Sequence, residues 1–486
     1  MKARPERDGA WLFGLALALR LGVAFYAADR FPPADDGSFY HVVAQRIAQG
    51  LGYTWAWPDG AITYAAHYPV GYPALLGAVY ALFGASPLVA MSLNAVIGAL
   101  LVWGVYDIAR RVATPRRARL AALLLTFHPT LLLYSAALMT ELPAATLLVL
   151  LVGYALRLGV PHDARSRPSA AKAVVRRLPL ALGGALLLLI RSQLLPMLAV
   201  IGALAVCVPP AATLARAAFA RVRGGAEVTL LALLLVMPWT LRNCRHMDGC
   251  VFVSANGGWN LLIGTLPEGK GSFAPVAGAN VPVECREVFG EAGKDRCFGQ
   301  AGARRIQHQP LAWLALAPLK LGQLFDHGAV ASSYLHSSNP VLVGERAKLA
   351  IAALETFYSR LLLLGAGLGL LRAGSRRASK FWALGAIAFG LSPWGYLAQL
   401  ALLGGLLSER PTPGRRPLWF AAVALLGLCV VTHVVFFGAA RYALVWLPWL
   451  PLLMVGTAGS MTTTTSAPPQ SGRGRTGPMP RPLRVF

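Results

Sequence analysis

The sequence predicts an all-α integral membrane protein, and three observations carry that prediction. The 486 residues are 56% hydrophobic and only 13% charged, with a mean hydropathy of +0.55, too apolar for a soluble chain of this length. Apolar runs recur near 10–28, 86–109, 118–137, 142–158, 179–208, 226–240, 349–371, 381–407, 417–438 and 442–458, most approaching the roughly 20 residues that cross hydrocarbon as a helix. The positive charge is concentrated in the gaps between these runs, the pattern of a chain oriented in a bilayer.

The charge sets the expected topology. Arginines crowd 110–119, 165–177, 216–223, 372–380 and 410–416, with more at the N-terminus and in the tail at Arg473, Arg475, Arg481 and Arg484. A net charge of +25 in any other distribution suggests nucleic acid; here it is explained by cytoplasmic loops. For every basic gap to face inward, the runs 179–208 and 381–407 must each fold as a hairpin, turning near Arg191–Pro196 and Ser392–Gly395. A bundle of about twelve crossings is then expected, with residues 1–460 as one polytopic domain and 461–486 as a low-complexity basic tail. The first run reads as a retained anchor, since no small-residue cleavage site precedes the polar loop that follows it.

Two long segments then face outward, 30–85 and 241–345. In the first, Phe39, Val42, Val43, Arg46 and Ile47 recur at helical spacing, and "YPVGYPALLGAVYALFG" (68–84) is an apolar helix punctuated by Pro69, Gly71 and Pro73. Helices of this kind lie at the interface. The second is turn-rich over 254–273 and helical around 299–330, a partly ordered outer loop. It also holds Cys244, Cys250, Cys285 and Cys297, whose close spacing on an oxidising side fits two local disulfides or four free thiols.

Candidate chemistry lies where charges stand at the ends of runs. Asp35 and Asp36 follow the first run, Glu141 stands in "LYSAALMTELPAA" (133–145), Arg242 stands in "PWTLRN" (238–243), and Arg441 follows "HVVFFGAA" (433–440). Acids and cations on one membrane face suit a reaction between a hydroxyl or amine and an anionic lipid-linked leaving group. A carboxylate takes the nucleophile's proton and guanidinium groups stabilise the departing phosphate. Each residue also has a plainer reading. Asp36 can cap a helix beginning near Phe39, Glu141 can be a first-turn acid, His67 can be structural, and Arg441 can be an interfacial anchor. Arg20, deep in the first run, costs on the order of 2.5–3.5 kcal/mol to insert and must face the bundle or snorkel; no catalytic role is assigned to it. A transporter or lipid flippase, the rival class, would place its charges near the midplane and show repeats; the acids here stand at the rim and no repeat is visible.

The motifs in order are "DGSFYHVVAQRIAQGLGY" (36–53), "HYPVGYP" (67–73), "MTE" ending at Glu141, "PWTLRN" (238–243), "NGGWNLLIGT" (256–265) and Arg441–Tyr442. Together they resemble the C-type glycosyltransferases that use polyprenyl-phosphate sugars, a superfamily with protein O-mannosyltransferases and the aminoarabinose transferases of lipid A. The resemblance extends to about residue 460. It implies a GT-C-like bundle in a bacterial inner membrane and an active site facing the periplasm. The implied donor is a polyprenyl-phosphate sugar, and the acceptor is a protein, lipid A, a polysaccharide or another glycolipid. It implies Asp36 as the base, with Asp35 and Glu141 as supporting acids, because Gly37 stands where the family has its usual second acid. His67 and Tyr68 fall in the donor-proximal region, and Arg441 and Tyr442 near the lipid phosphate. Arg242 is a further basic group for the phosphate, and Lys320 and Arg191 are candidate phosphate partners of lower rank. A monophosphate leaving group needs one or two cations, so side chains suffice; a divalent metal is compatible but not demanded.

Overall fold

A computed structural model describes residues 5–160, 170–208 and 212–456. Lys2, Arg4, Arg165, Arg167 and the tail 461–486 lie outside the described residues. The fold is helical; the strands among the described residues are one antiparallel ribbon, Thr54–Ala56 against Ile62–Tyr64, with Trp55 opposite Thr63.

Among the described residues, six helices are long and apolar enough to cross a membrane: Pro5–Ala27, Pro87–Val112, Glu141–Leu158, Leu214–His246, Glu345–Ala373 and Arg416–Val435. A seventh results if Pro115–Thr126 and the segment from Pro129 to Ala136, bent by 58° from each other, count as one span. The bend falls at Pro129, whose ring cannot extend the preceding helix. Both expected hairpin breaks are present as breaks in helix. Ala170–Ile190 stops at Arg191 and resumes as Leu195–Leu204, and Arg377–Gly390 turns through 391–394 into Gly395–Ser408, which packs along it. The apolar run 442–458 differs from a simple span. It forms a 3-10 turn, Ala440–Val445, then a short helix Trp449–Gly456 whose Trp449, Leu450, Leu452 and Leu453 are buried inside the bundle.

The outward faces of the spans stay apolar. Leu230 and Leu234 of the Leu214–His246 helix are more than half exposed, which is costly in water and neutral against lipid. That helix has 33 residues and so measures about 50 Å, against roughly 30 Å of hydrocarbon. Its last turns carry Trp239 and Arg242 to the first outer segment. Arg20 is fully buried and faces the bundle, donating to the carbonyls of Ala16 and Leu125. Gly98 makes the room: a Cβ there would come within 2.5 Å of the Arg20 Nε.

The two segments expected to face outward, 30–85 and 241–345, are built largely of helices. Asp36–Ala48 packs along Gly71–Phe83, so the expected helix behind the acids and the Pro-punctuated apolar helix form one pair. The second segment contains Gly257–Ile263, Glu291–His308, Pro310–Ala315, Ala317–Phe325 and Ala331–Ser338. It is tied by disulfides Cys244–Cys250 and Cys285–Cys297, while Cys207 and Cys429 are free.

Candidate active site

Three chain segments meet at the ends of spans. The first is the start of the helix Asp36–Ala48, entered from the first span through 28–35. Asp35 occupies the N-cap position with a left-handed φ of 51°, and its side chain makes no capping bond. Asp36, the first helical residue, does not cap either. One carboxylate oxygen accepts from the Tyr68 hydroxyl at 2.8 Å and the other from the Arg441 Nη1 at 2.8 Å. The plain reading of Asp36 as a helix cap therefore fails on geometry, because its oxygens are turned away from the helix amides. The Asp35 side chain is exposed and makes no hydrogen bond or ion pair among the described residues.

The second segment is the start of the span Glu141–Leu158. Glu141 is 2% exposed. It accepts from the Tyr134 hydroxyl at 3.0 Å, and its other oxygen lies 3.2 Å from the Arg191 Nη1 and 3.7 Å from the Arg441 Nε. A buried carboxylate needs such partners, since unpaired it would cost several kcal/mol. The third segment is the 3-10 turn after the last long span, which carries Arg441 between the two acids. Its Nη2 donates to the Tyr442 hydroxyl at 3.2 Å; Tyr442 stacks on His433, and Arg191 lies over its ring. The result is a row of alternating charges, Asp36, Arg441, Glu141 and Arg191, drawn from four separate parts of the chain.

An aromatic wall backs Asp36. Tyr68 touches Phe39 and Tyr40, and Phe39 stacks on Trp55. Burial and the neighbouring Asp36 push the Tyr68 hydroxyl well above the usual phenol range, so it stays a hydrogen-bond donor to the carboxylate. His67 packs edge-on against Tyr68 and Trp259; burial lowers its pKa, and Asp36 opposes that only in part. At neutral pH His67 is thus a neutral imidazole beside the acid.

Two of the expected phosphate partners are held elsewhere. Arg242 donates to the carbonyls of Ala65 and Tyr53 at 2.8 and 2.7 Å and lies over the rings of Trp239 and Tyr64. It braces the first outer segment to the end of the long helix. Lys320 is buried and donates to the carbonyl of Val434 at 2.9 Å, where the helix Arg416–Val435 ends. This satisfies a terminal carbonyl that the helix itself leaves unpaired. Tyr134, which the sequence reading passed over, was signalled only by standing seven residues before Glu141, and Arg191 only by interrupting an apolar run. Among the described residues, no cluster of three or more His, Cys, Asp or Glu could hold a metal ion.

With this geometry in view, comparison with known proteins becomes informative. The model of the family described as dolichyl-phosphate-mannose-protein mannosyltransferase matches residues 67–168. Over that stretch the chain carries a glycosyltransferase family's pattern. The matched stretch takes in His67, Tyr68 and Glu141 and leaves Asp36, Arg191 and Arg441 outside it. No curated protein matches the chain in sequence. Among solved structures, the archaeal oligosaccharyltransferase AglB from Archaeoglobus fulgidus, in complex with an inhibitory peptide and a dolichol-phosphate, is similar at a TM-score of 0.43 and 13% identity, over 92% of this chain and 50% of that one. ArnT from Cupriavidus metallidurans, bound to undecaprenyl phosphate, is similar at a TM-score of 0.37 and 15% identity, over 92% of this chain and 77% of that one. The chain thus spans about half the length of the oligosaccharyltransferase.

Proposed function

We propose that this protein is a membrane glycosyltransferase that moves a sugar from a polyprenyl-phosphate donor to an acceptor hydroxyl or amine on the outer face of a bacterial inner membrane. The observation that carries the reading is the bridge made by Arg441 between Asp36 and Glu141. A lone carboxylate at a helix start is ordinary; two acids far apart in the chain, joined by one guanidinium and backed by a second, form a constellation. All of these groups stand at helix starts, ends or breaks, where a water-borne acceptor and a lipid-borne donor can meet.

The division of labour follows from the partners. Asp36 is the more exposed acid of the two, 21% against 2% for Glu141, and has the acceptor side: it takes the proton as the acceptor oxygen or nitrogen attacks the anomeric carbon. The bond from that carbon to the phosphate oxygen breaks in the same displacement, with inversion, and the phosphate leaves with the electron pair on the lipid. Arg441 has the donor side. In the structure it pairs with Asp36; an arriving phosphate competes for the guanidinium, which then stabilises that phosphate as it leaves, and Asp36 is freed to act as base. Glu141 and Arg191 are the buried pair that fixes Arg441 between these partners. Tyr68 holds the second oxygen of Asp36, and His67 and Tyr442 line the approach.

The test is direct. Purified full-length protein is incubated with a panel of polyprenyl-phosphate sugars and candidate acceptors, and release of free polyprenyl phosphate is measured. The reading expects release with at least one donor and its loss in Asp36→Asn; release that is untouched by that substitution would sink it.

A further inference from the structure

The charge row works only if two loops from distant parts of the chain hold one spacing, and the structure contains a part that touches both. We infer that Tyr334 is a positioning residue that locks the Asp36 loop to the Glu141 loop. This inference rests on the transferase reading above. Tyr334 lies on the short helix Ala331–Ser338 and is 3% exposed. Its hydroxyl oxygen accepts the backbone N–H of Ala34 at 3.3 Å and that of Leu138 at 3.3 Å. Those amides stand two residues before Asp36 and three before Glu141.

The helix is itself fixed from both ends. Beneath it, the fully buried Glu355 of the span Glu345–Ala373 accepts the N–H groups of Val330, Ala331 and Ser332 and the Ser332 hydroxyl. At its far end, Ser338 donates to the Pro32 carbonyl at 2.5 Å and Asn339 to the Arg30 carbonyl at 2.8 Å. The span thus sets the helix, and the helix sets the loop 30–34.

The fit leaves no slack. A Cβ at Gly37 would come within 2.7 Å of the Tyr334 hydroxyl and 3.0 Å of the Leu138 carbonyl, so all three segments are in contact there. Asp35 is held at a φ of 51°, a region an aspartate tolerates at some cost and keeps only where its surroundings impose it. Removing the hydroxyl strands two amides and releases that constraint. Arg441 must reach Asp36 and Glu141 at once, and a displacement of about 1 Å at such a site costs on the order of a hundredfold in rate.

The experiment is hydrogen exchange and kinetics on purified full-length Tyr334→Phe. Exchange of the peptides covering 32–37 and 136–140 is expected to rise clearly while the rest of the bundle is unchanged, and kcat to fall about ten- to a hundredfold with the donor KM nearly unchanged. Asn339→Ala, which loses the bond to the Arg30 carbonyl and the one its Oδ1 accepts from the Leu342 amide, gives the same direction at smaller size and covers the case in which Tyr334→Phe fails to fold. Unchanged exchange in both peptides overturns the inference, and so does faster exchange with wild-type kcat. Either result is separable from failure of the transferase reading, because Asp36→Asn abolishes release of free polyprenyl phosphate if that reading stands, whatever Tyr334 does.

Discussion

Replacing Asp36 by Asn removes one negative charge while keeping size and one acceptor oxygen, so its consequences can be worked through group by group. With the amide oxygen kept toward Arg441, the Tyr68 hydroxyl can accept from the amide N–H instead of donating, and Arg441 keeps Glu141 at 3.7 Å, so the fold should hold. The proton acceptor is lost, and a general base contributes about a hundredfold to ten-thousandfold; kcat should fall by that order. Donor binding should move the other way. Arg441 gives up a charge-assisted bond of 2.8 Å to Asp36, and such bonds are worth about 1.5–3 kcal/mol. The Asn oxygen restores part of this, leaving about 1 kcal/mol, or roughly fivefold tighter donor binding. The assay pairs turnover, read as released polyprenyl phosphate, with titration of the donor into the purified variant. A variant that turns over like the wild type shows that Asp36 is not the base. One that loses donor binding shows that the Asp36–Arg441 pair organises the phosphate site rather than competing with it. Asp35→Asn is the control, since that side chain makes no hydrogen bond or ion pair among the described residues.

Arg441→Ala should weaken donor binding by about tenfold to a hundredfold, the worth of one charge-assisted contact, while Glu141 keeps Arg191 at 3.2 Å; unchanged donor affinity refutes the phosphate role. Burial pushes Lys320 down to about 8 from its ordinary 10.5. Above pH 8 and up to the ordinary value the unfolded chain binds the more protons, so raising the pH through that window favours the fold, and the penalty is complete below it. The thermal stability of the wild type relative to Lys320→Met should therefore rise between pH 7.5 and pH 9.5, and a flat difference rejects the buried ammonium. Thiol counting without reductant should find Cys207 reactive in the native protein and Cys429 only after denaturation, with Cys244, Cys250, Cys285 and Cys297 silent; six reactive thiols would exclude both bridges. Cysteines introduced at the exposed positions Asp59 and Ala279 should label in intact cells with an impermeant reagent and one at Arg376 should not; the opposite pattern inverts the orientation.

How much of this was legible in the chain depends on whether the deciding interaction is local. Helical character, the apolar faces and the breaks near Arg191 and 391–394 are properties of short windows, because 20 apolar residues satisfy their own backbone bonds wherever they lie. The helix behind Asp36 and its apolar companion over 71–83 were readable for the same reason. The number of crossings was less so. A run of apolar residues does not say whether it spans, bends as at Pro129, or coils back into the bundle as 440–456 does.

The site divides along the same line. The sequence by itself determined which ionisable groups stand at the ends of apolar runs, since a charge inside hydrocarbon is penalised wherever the chain runs next. It could not decide which of those cations is free to meet a ligand. Arg242, Lys320 and Arg441 look alike in the sequence, each a base near the edge of an apolar helix. Only the tertiary structure separates them. Arg242 and Lys320 are turned to backbone carbonyls of other segments, whereas Arg441 reaches an aspartate 405 positions away. The same holds for Tyr334, whose hydroxyl meets amides 300 and 196 residues distant. Helical periodicity reaches three or four residues along the chain, whereas a hydrogen bond needs only about 3 Å in space; which distant groups come within that distance is set by how the spans pack.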